Sequence, residues 1–263
     1  MTDSPRALVT GASAGIGLSY ARHLARTGHA LVLVARRVDR LEAVASELRD
    51  AHGIEVEVLA ADLGADEGVA RVAARIAAEP SVDLLVNNAG FAVRGRVADL
   101  DPDELDRMLR VNVLALGRLS HAAMRAMTPR GRGTIVNVAS GTVFMQMPGN
   151  AGYGASKNYV MAFTRTMQVE ARDTGVRVQL LVPGVIATDF HEVAGNDLNR
   201  FPPENVMQAD DLVVASLRAL EMDEPVCIPS LPAIRDWDAY VAAEAALSPK
   251  VSRDRIAPRY HGG

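Results

Sequence analysis

The chain has one cysteine among its 263 residues, Cys227, so it cannot close an internal disulfide, and this thiol content fits a reducing compartment. Lysine is almost as scarce. Of 28 Lys plus Arg residues only Lys157 and Lys250 are lysines, so arginine serves nearly everywhere a positive charge is needed. Long apolar runs are missing as well: Ala30 to Ala35, the longest near the start, is far too short to cross a bilayer. Residues 1–5 lack the basic start and apolar stretch of a secretory signal. No excess of positive charge exists either. The net charge is -4 and the isoelectric point about 5.9, which argues against general affinity for nucleic acid or an anionic membrane. The six histidines show no ligand spacing, so no metal is expected, and no G-x-S-x-G elbow points to hydrolysis. These absences describe a soluble protein, expected in the cytoplasm.

What is present is an alternation. Short aliphatic and β-branched runs predict strands at 7–10, 30–34, 56–59, 83–86, 133–138, 176–182 and 226–228. Helical patterns lie between them at 40–50, 66–78, 103–127, 155–174 and 209–221. Several of the runs are apolar almost throughout, as strands buried on both faces must be. Strand, helix, strand repeated in this way predicts an α/β fold, a doubly wound parallel sheet of about seven strands with helices on both faces. No linker divides it, so one domain is expected over 1–263. The rhythm breaks at 188–207, a polar stretch with Gly195 and Pro202-Pro203 that reads equally as a lid over a site or as a surface loop. From residue 229 onward a C-terminal extension holds one helix-like piece, 234–247, and a basic tail.

Directly after the first strand stands Thr10-Gly11-Ala12-Ser13-Ala14-Gly15-Ile16-Gly17, leading into a helix. Glycines there permit a tight turn and let backbone approach a pyrophosphate, while the helix start offers free N–H groups. Position carries this reading, because first strand, first turn and first helix form the setting a dinucleotide site requires. The second strand ends Val34-Ala35-Arg36-Arg37, with no carboxylate before Asp39. An acidic residue there would grip ribose hydroxyls. Two guanidiniums instead suit a 2′-phosphate, so NADP(H) is expected over NAD, with Ser13 able to add a hydroxyl.

Thr10 to Gly17, Asn87-Asn88-Ala89-Gly90, Ser140, Tyr153-x-x-x-Lys157 and Pro183-Gly184, in this order and spacing over about residues 6–190, resemble the short-chain dehydrogenase/reductase family. The resemblance implies a Rossmann-type domain that interconverts carbonyls and alcohols with a nicotinamide cofactor. It implies Tyr153 as proton donor and acceptor, and Lys157 as the ammonium that lowers the phenol's pKa and binds the nicotinamide ribose. Four residues apart on one helix, the two share a face. Ser140 would hold the substrate oxygen. Asn112 would distort its helix and hold a relay water, unless it is an isolated satisfied amide. Asn88, Ala89 and Gly90 would line the adenosine ribose, with Asn87 tying strands together. Asp62 and Leu63 would meet the adenine, although Asp62 also suits a helix cap. Pro183, Gly184, Ile186 and Thr188 would pass beneath the nicotinamide.

Val143, Phe144, Met145, Met147 and Phe190 suggest a hydrophobic or aromatic carbonyl substrate, or equally a plug between loop and sheet. The reading reached is an NADP(H)-dependent oxidoreductase acting on a small-molecule carbonyl or alcohol. The alternatives are a non-catalytic NADPH-binding sensor and a sugar-nucleotide epimerase or dehydratase. Family members commonly form dimers or tetramers through helix faces such as 103–127 and 155–174, so a homo-oligomer is expected.

Overall fold

In the computed structural model, which describes residues 4–190 and 197–261, the aliphatic runs become strands. They are β1 (Arg6–Thr10), β2 (Ala30–Ala35), β3 (Val56–Ala60), β4 (Leu84–Asn87), β5 (Gly133–Val138), β6 (Val176–Leu181), β7 (Val185–Ala187), β8 (Val206–Gln208) and β9 (Val226–Cys227). Seven of them form one sheet in the order β3-β2-β1-β4-β5-β6-β9, and every pairing in it is parallel. The helices of this part are α1 (Gly15–Arg26), α2 (Val38–His52), α3 (Asp66–Ala77), α4 (Pro102–Leu109), α5 (Leu116–Met127), α6 (Ala151–Glu170) and α7 (Ala209–Glu221).

Because side chains alternate along a strand, continuous apolar runs feed two cores. Ala7, Val9, Leu31 and Leu33 pack with Tyr20 and Leu24 of α1, Leu41 and Leu48 of α2, and Leu212 of α7. Leu8, Val32, Leu85 and Ile135 pack on the other face with Val72 and Ile76 of α3, Leu119 of α5 and Met167 of α6. Each such side chain contributes about 1.5–3 kcal/mol relative to exposure. Strand order reverses between β1 and β4, and there the crossovers leave a crevice at the carboxyl ends of the strands.

Polar groups stitch the centre of the sheet. Asn87 Nδ2 donates to Ser120 Oγ at 3.0 Å and to Asn137 Oδ1 at 2.9 Å, while Asn137 Nδ2 donates to Thr164 Oγ1 at 3.0 Å. Asn87 does tie strands together.

Three local features depart from the plain strand and helix pattern. The helix expected over 103–127 is interrupted by a π-helical turn at Arg110–Ala115, the distortion the resemblance implied for Asn112. Asn112 Nδ2 donates to Phe91 O at 2.9 Å and Ser156 Oγ at 3.1 Å, and its Oδ1 accepts from Phe91 N at 3.1 Å. Those bonds, to the loop after β4 and to α6, hold the turn wide. Helix α6 begins at Ala151, four residues before the expected start, because Gly152 and Gly154 mask its first turn in propensity terms. The strands β7 and β8, three residues each, form a separate parallel pair that the sequence pattern does not announce. The expected lid falls partly on 191–196, outside the described residues. On its described flanks lie Thr188 to Phe190, two 3₁₀ turns (Leu198–Arg200 and Pro203–Asn205) and β8.

Contacts divide the chain into two compact units, Met1–Pro229 and Ser230–Gly263. The second contains α8 (Ile234–Ala245), in which Trp237 and Tyr240 pack with ring centroids 5.4 Å apart and ring planes tilted by 31°, followed by two short 3₁₀ turns.

Asn137 is fully buried, so Asn137→Ala leaves the Asn87 and Thr164 side chains short of partners. Urea unfolding should show a loss of about 2–3 kcal/mol with an unchanged m-value. A loss below about 0.5 kcal/mol would show that the amide network does not hold the sheet together.

Candidate active site

The glycine turn sits at the carboxyl end of β1. Gly11 and Gly15 adopt φ of 69° and 54°, a region in which a side chain is strained. A Cβ on Gly17 would lie 2.6 Å from Asn88 Nδ2, so the turn and β4 approach too closely for anything larger. Ala14, the N-cap of α1, supplies no side-chain cap, which leaves the first-turn N–H groups around Gly15, Ile16 and Gly17 for an outside acceptor. Arg36 and Arg37 are exposed at the end of β2, and Arg37 Nη2 donates to Ser13 Oγ at 3.2 Å across the mouth of the turn. Free N–H groups, close backbone and two guanidiniums beside a hydroxyl form a donor set that fits a pyrophosphate with a further phosphate nearby.

Thr10, the first residue of the glycine motif, joins the turn to β4, a role its place in the motif did not reveal. Its Oγ1 donates to Val86 O at 3.1 Å and accepts from Asn88 N at 2.9 Å and Ala89 N at 3.0 Å. The Asn88 side chain donates to Thr10 O at 2.8 Å, so in the protein alone its amide is committed to the fold. Asp62 is exposed after β3 and its Oδ1 accepts from Gly64 N at 2.9 Å, a local turn. It does not cap α3, whose N-cap is Ala65, and the neighbouring Leu63 is buried. Thr188 lies over the turn: a Cβ on Gly15 would be 3.1 Å from its Cγ2. Pro183 O accepts from Gly141 N at 2.7 Å, which pins the Pro183-Gly184 bend, with buried Ile186 beyond it, to the loop after β5.

The four expected catalytic side chains converge here. Ser140 leaves β5 in extended conformation, accepts from Thr142 N at 3.3 Å and lies close enough to the Tyr153 hydroxyl to ease its ionisation. Tyr153 is buried, its ring packed among Ala92, Met108 and Phe190. One turn along α6, Lys157 is buried too; its Nζ donates to Val138 O at 2.9 Å and lies 5.9 Å from the Tyr153 ring centroid. A Cβ on Gly90 would stand 3.4 Å from Lys157 Nζ and 3.0 Å from Asn112 Oδ1, which puts Gly90 and Asn112 beside the same ammonium.

The Tyr153 phenol is pushed up to about 12, chiefly by burial, with partial relief from Ser140 and the charge of Arg94. The Lys157 ammonium is itself desolvated, with its pKa lowered to about 8, and is bound to the Val138 carbonyl. Arg94, four residues beyond Gly90, also escaped the sequence reading, since a cation in a loop gives no sign of what it faces until the loop is folded.

A cleft of about 240 Å³ lies elsewhere, lined by Gln168, Arg172, Arg177, Leu220 and Asp223 near the amino end of β6. None of the converging residues borders it.

Comparison with known proteins gives consistent matches. A family model described as short chain dehydrogenase matches residues 5–199. A Sphingobium yanoikuyae short-chain dehydrogenase solved in complex with NADPH superposes with a TM-score of 0.93 at 38% identity, covering 97% of this chain and 100% of that one. A Comamonas testosteroni alcohol dehydrogenase described as specific for bulky-bulky ketones superposes with a TM-score of 0.90 at 32% identity, covering 99% and 100%. A human very-long-chain 3-oxoacyl-CoA reductase is 30% identical over 207 residues, which is 77% of this chain but 66% of the reductase, so the chain spans just under two thirds of that protein.

Lys157 titrates near 8 in the folded protein against a reference of 10.5, so the unfolded chain binds more protons between those values. Stability therefore rises with pH across that window, and below it the buried charge costs on the order of 3 kcal/mol. Lys157→Met should melt no lower than the parent at pH 7, and the parent should gain on it between pH 8 and 10 by differential scanning calorimetry. A variant that melts well below the parent at pH 7 would mean the ammonium serves the fold.

Proposed function

The chain belongs to the short-chain dehydrogenase family, and from that premise we propose that it is an NADP(H)-dependent oxidoreductase interconverting a ketone or aldehyde with the corresponding alcohol. The observation that carries the reading is the convergence of Ser140, Tyr153 and Lys157 at the carboxyl edge of the sheet, beside the glycine turn. The Sphingobium relative, solved with NADPH, supports the choice of cofactor.

When bound, the nicotinamide supplies or removes the hydride. The chain's residues do the remaining work. The turn from Gly11 to Gly17 holds the pyrophosphate, and Arg36, Arg37 and Ser13 hold the 2′-phosphate. Asp62 and Leu63 border the adenine. Asn88, Ala89 and Gly90 border the adenosine ribose, and Pro183, Gly184, Ile186 and Thr188 support the nicotinamide. Lys157 binds the nicotinamide ribose, a task for a slim three-donor head. Asn112, fixed in the π turn, positions the wall beside that lysine.

Ser140 donates a hydrogen bond to the substrate oxygen, and Tyr153 delivers its proton there as hydride reaches the carbon. A phenol pushed up to about 12 keeps its proton at neutral pH, the form that donates in carbonyl reduction. Phe144, Met145 and Met147 are 42%, 52% and 40% exposed on the loop after Ser140, an apolar shelf suited to a hydrophobic or aromatic ketone. The ketone preference stated for the Comamonas relative points the same way.

Tyr153→Phe should cut carbonyl turnover by about a thousandfold or more while NADPH still binds, as followed by nicotinamide absorbance and fluorescence. Residual activity above about a tenth of the parent's would remove Tyr153 as proton donor. Exchanging Arg36 for Asp and Arg37 for Ala should shift the kcat/KM ratio towards NADH by about a hundredfold. An unaltered NADPH preference would place the 2′-phosphate elsewhere.

A further inference from the structure

We propose that Phe190 is a positioning residue for the proton donor: packed on the Tyr153 ring, it keeps water from that side of the phenol and thereby sets the pH range in which the alcohol is oxidised. That role rests on the reductase reading above and adds to it a control on the direction of the reaction.

The walls around Tyr153 come from three parts of the chain. Ala92 of the loop after β4 and Met108 of α4 are buried with it, and Phe91, Val93 and Leu105 are partly buried around them. These two parts are locked together. Phe91 is held through both its backbone groups by Asn112, at 3.1 Å and 2.9 Å, and Val93 N donates to Met108 Sδ at 3.3 Å. Phe190 arrives from elsewhere. It lies beyond β7 and packs on the Tyr153 ring with centroids 5.9 Å apart and planes tilted by 46°. No other described member of the cluster comes from that segment. Phe190 is half-buried while Tyr153 is 5% exposed, the order expected of an outer layer over the phenol ring.

Water stabilises a phenolate far more than a phenol, so an apolar cover holds the proton on the oxygen. Burial is the largest influence on Tyr153, and it acts upward. In reduction the phenol donates, and the cover favours that form. In oxidation the alcohol gives hydride from its carbon to the oxidised nicotinamide and the proton of its O–H to the phenolate, leaving C=O; the cover opposes that form. The charges around the ring are Arg94 from the loop after β4, Lys157 with Nζ 5.9 Å from the ring centroid, and Arg107 of α4, 5.9 Å from the centroid of the neighbouring Phe91 ring. Asp189 precedes Phe190 in the chain, and Ser140 is the polar neighbour of the hydroxyl. Substitution at 190 leaves all of these and the cofactor in place, so variants differ in the cover alone.

The test follows kcat/KM for oxidation of a panel of benzylic secondary alcohols, led by 1-phenylethanol, at saturating NADP+ from about pH 6 to about pH 10.5. Phe190→Ala should move the rising limb of the profile down by about 0.5–1 pH unit, a threefold to tenfold change in phenolate fraction on that limb. Phe190→Leu keeps an apolar cover and should stay within about 0.3 unit of the parent. A merely structural role would lower kcat and leave the limb where it is. A second measurement needs no turnover: the 13Cζ signal of Tyr153, identified as the one that Tyr153→Phe lacks, is observed at about pH 10.5 without cofactor. It should move towards the phenolate position in Phe190→Ala and not in the parent. An unmoved or raised limb in Phe190→Ala, or an equal move in Phe190→Leu, would overturn the role of Phe190 and leave the reductase reading standing. If the parent oxidises none of the alcohols and reduces none of the matching ketones, the reductase reading falls, and the 13C signal still decides whether Phe190 holds the proton on the phenol.

Discussion

Everything at the carboxyl edge of the sheet is arranged around an ammonium taken out of water. Lys157 is buried and its Nζ is bound to Val138 O, so the charge is tolerated and not favoured. A methionine at this position would fill much the same volume without desolvating a charge. The cost is accepted at the one place where a compact three-donor head has chemistry to perform, in a chain that otherwise chooses arginine. The same burial that depresses the lysine raises its neighbour Tyr153, so one dry environment holds the first proton loosely and the second tightly.

That environment exists because the strand order reverses between β1 and β4. The reversal opens a crevice, and Thr10 and Asn88 close its base by joining the ends of the two strands. Asn87 and Asn137 secure β4 to β5 below the same edge, and Asn112 holds a π turn against α6 and the loop after β4. Asn112 stands beside the lysine across Gly90, and the other amides tie the strands that carry the site. Each makes specific directional bonds inside an apolar core, which fixes geometry more sharply than packing alone.

The two halves of the site are built differently. The cofactor half is made of strand ends, a glycine turn and a helix start, all fixed by backbone hydrogen bonds, so a short sequence signature suffices to mark it. The substrate half is made of the loops after β4 and β5 and the segment from Thr188, whose contacts come from residues distant in the chain, such as Gly95 with Gly149 and Tyr153 with Phe190. Loops of this kind vary while the scaffold persists. Relatives of one fold accordingly carry names as different as ketone-specific alcohol dehydrogenase and 3-oxoacyl-CoA reductase.

The parallel sheet and its seven strands were legible in the sequence because aliphatic periodicity encodes them directly, and the meeting of Ser140, Tyr153 and Lys157 was implied by the family resemblance. The order Thr10 to Gly17 and the four-residue step from Tyr153 to Lys157 are local facts that folding preserves. The charge that Arg94 adds at the phenol was not legible, since Arg94 stands in a loop far from Tyr153 in the chain. The hub at Thr10 and the small β7–β8 pair were hidden for the same reason, whereas the distortion at Asn112 was implied by the family resemblance. Each arises from bonds between segments far apart in the chain, and electrostatic sign and strength depend on burial and distance, which exist only once the chain has folded.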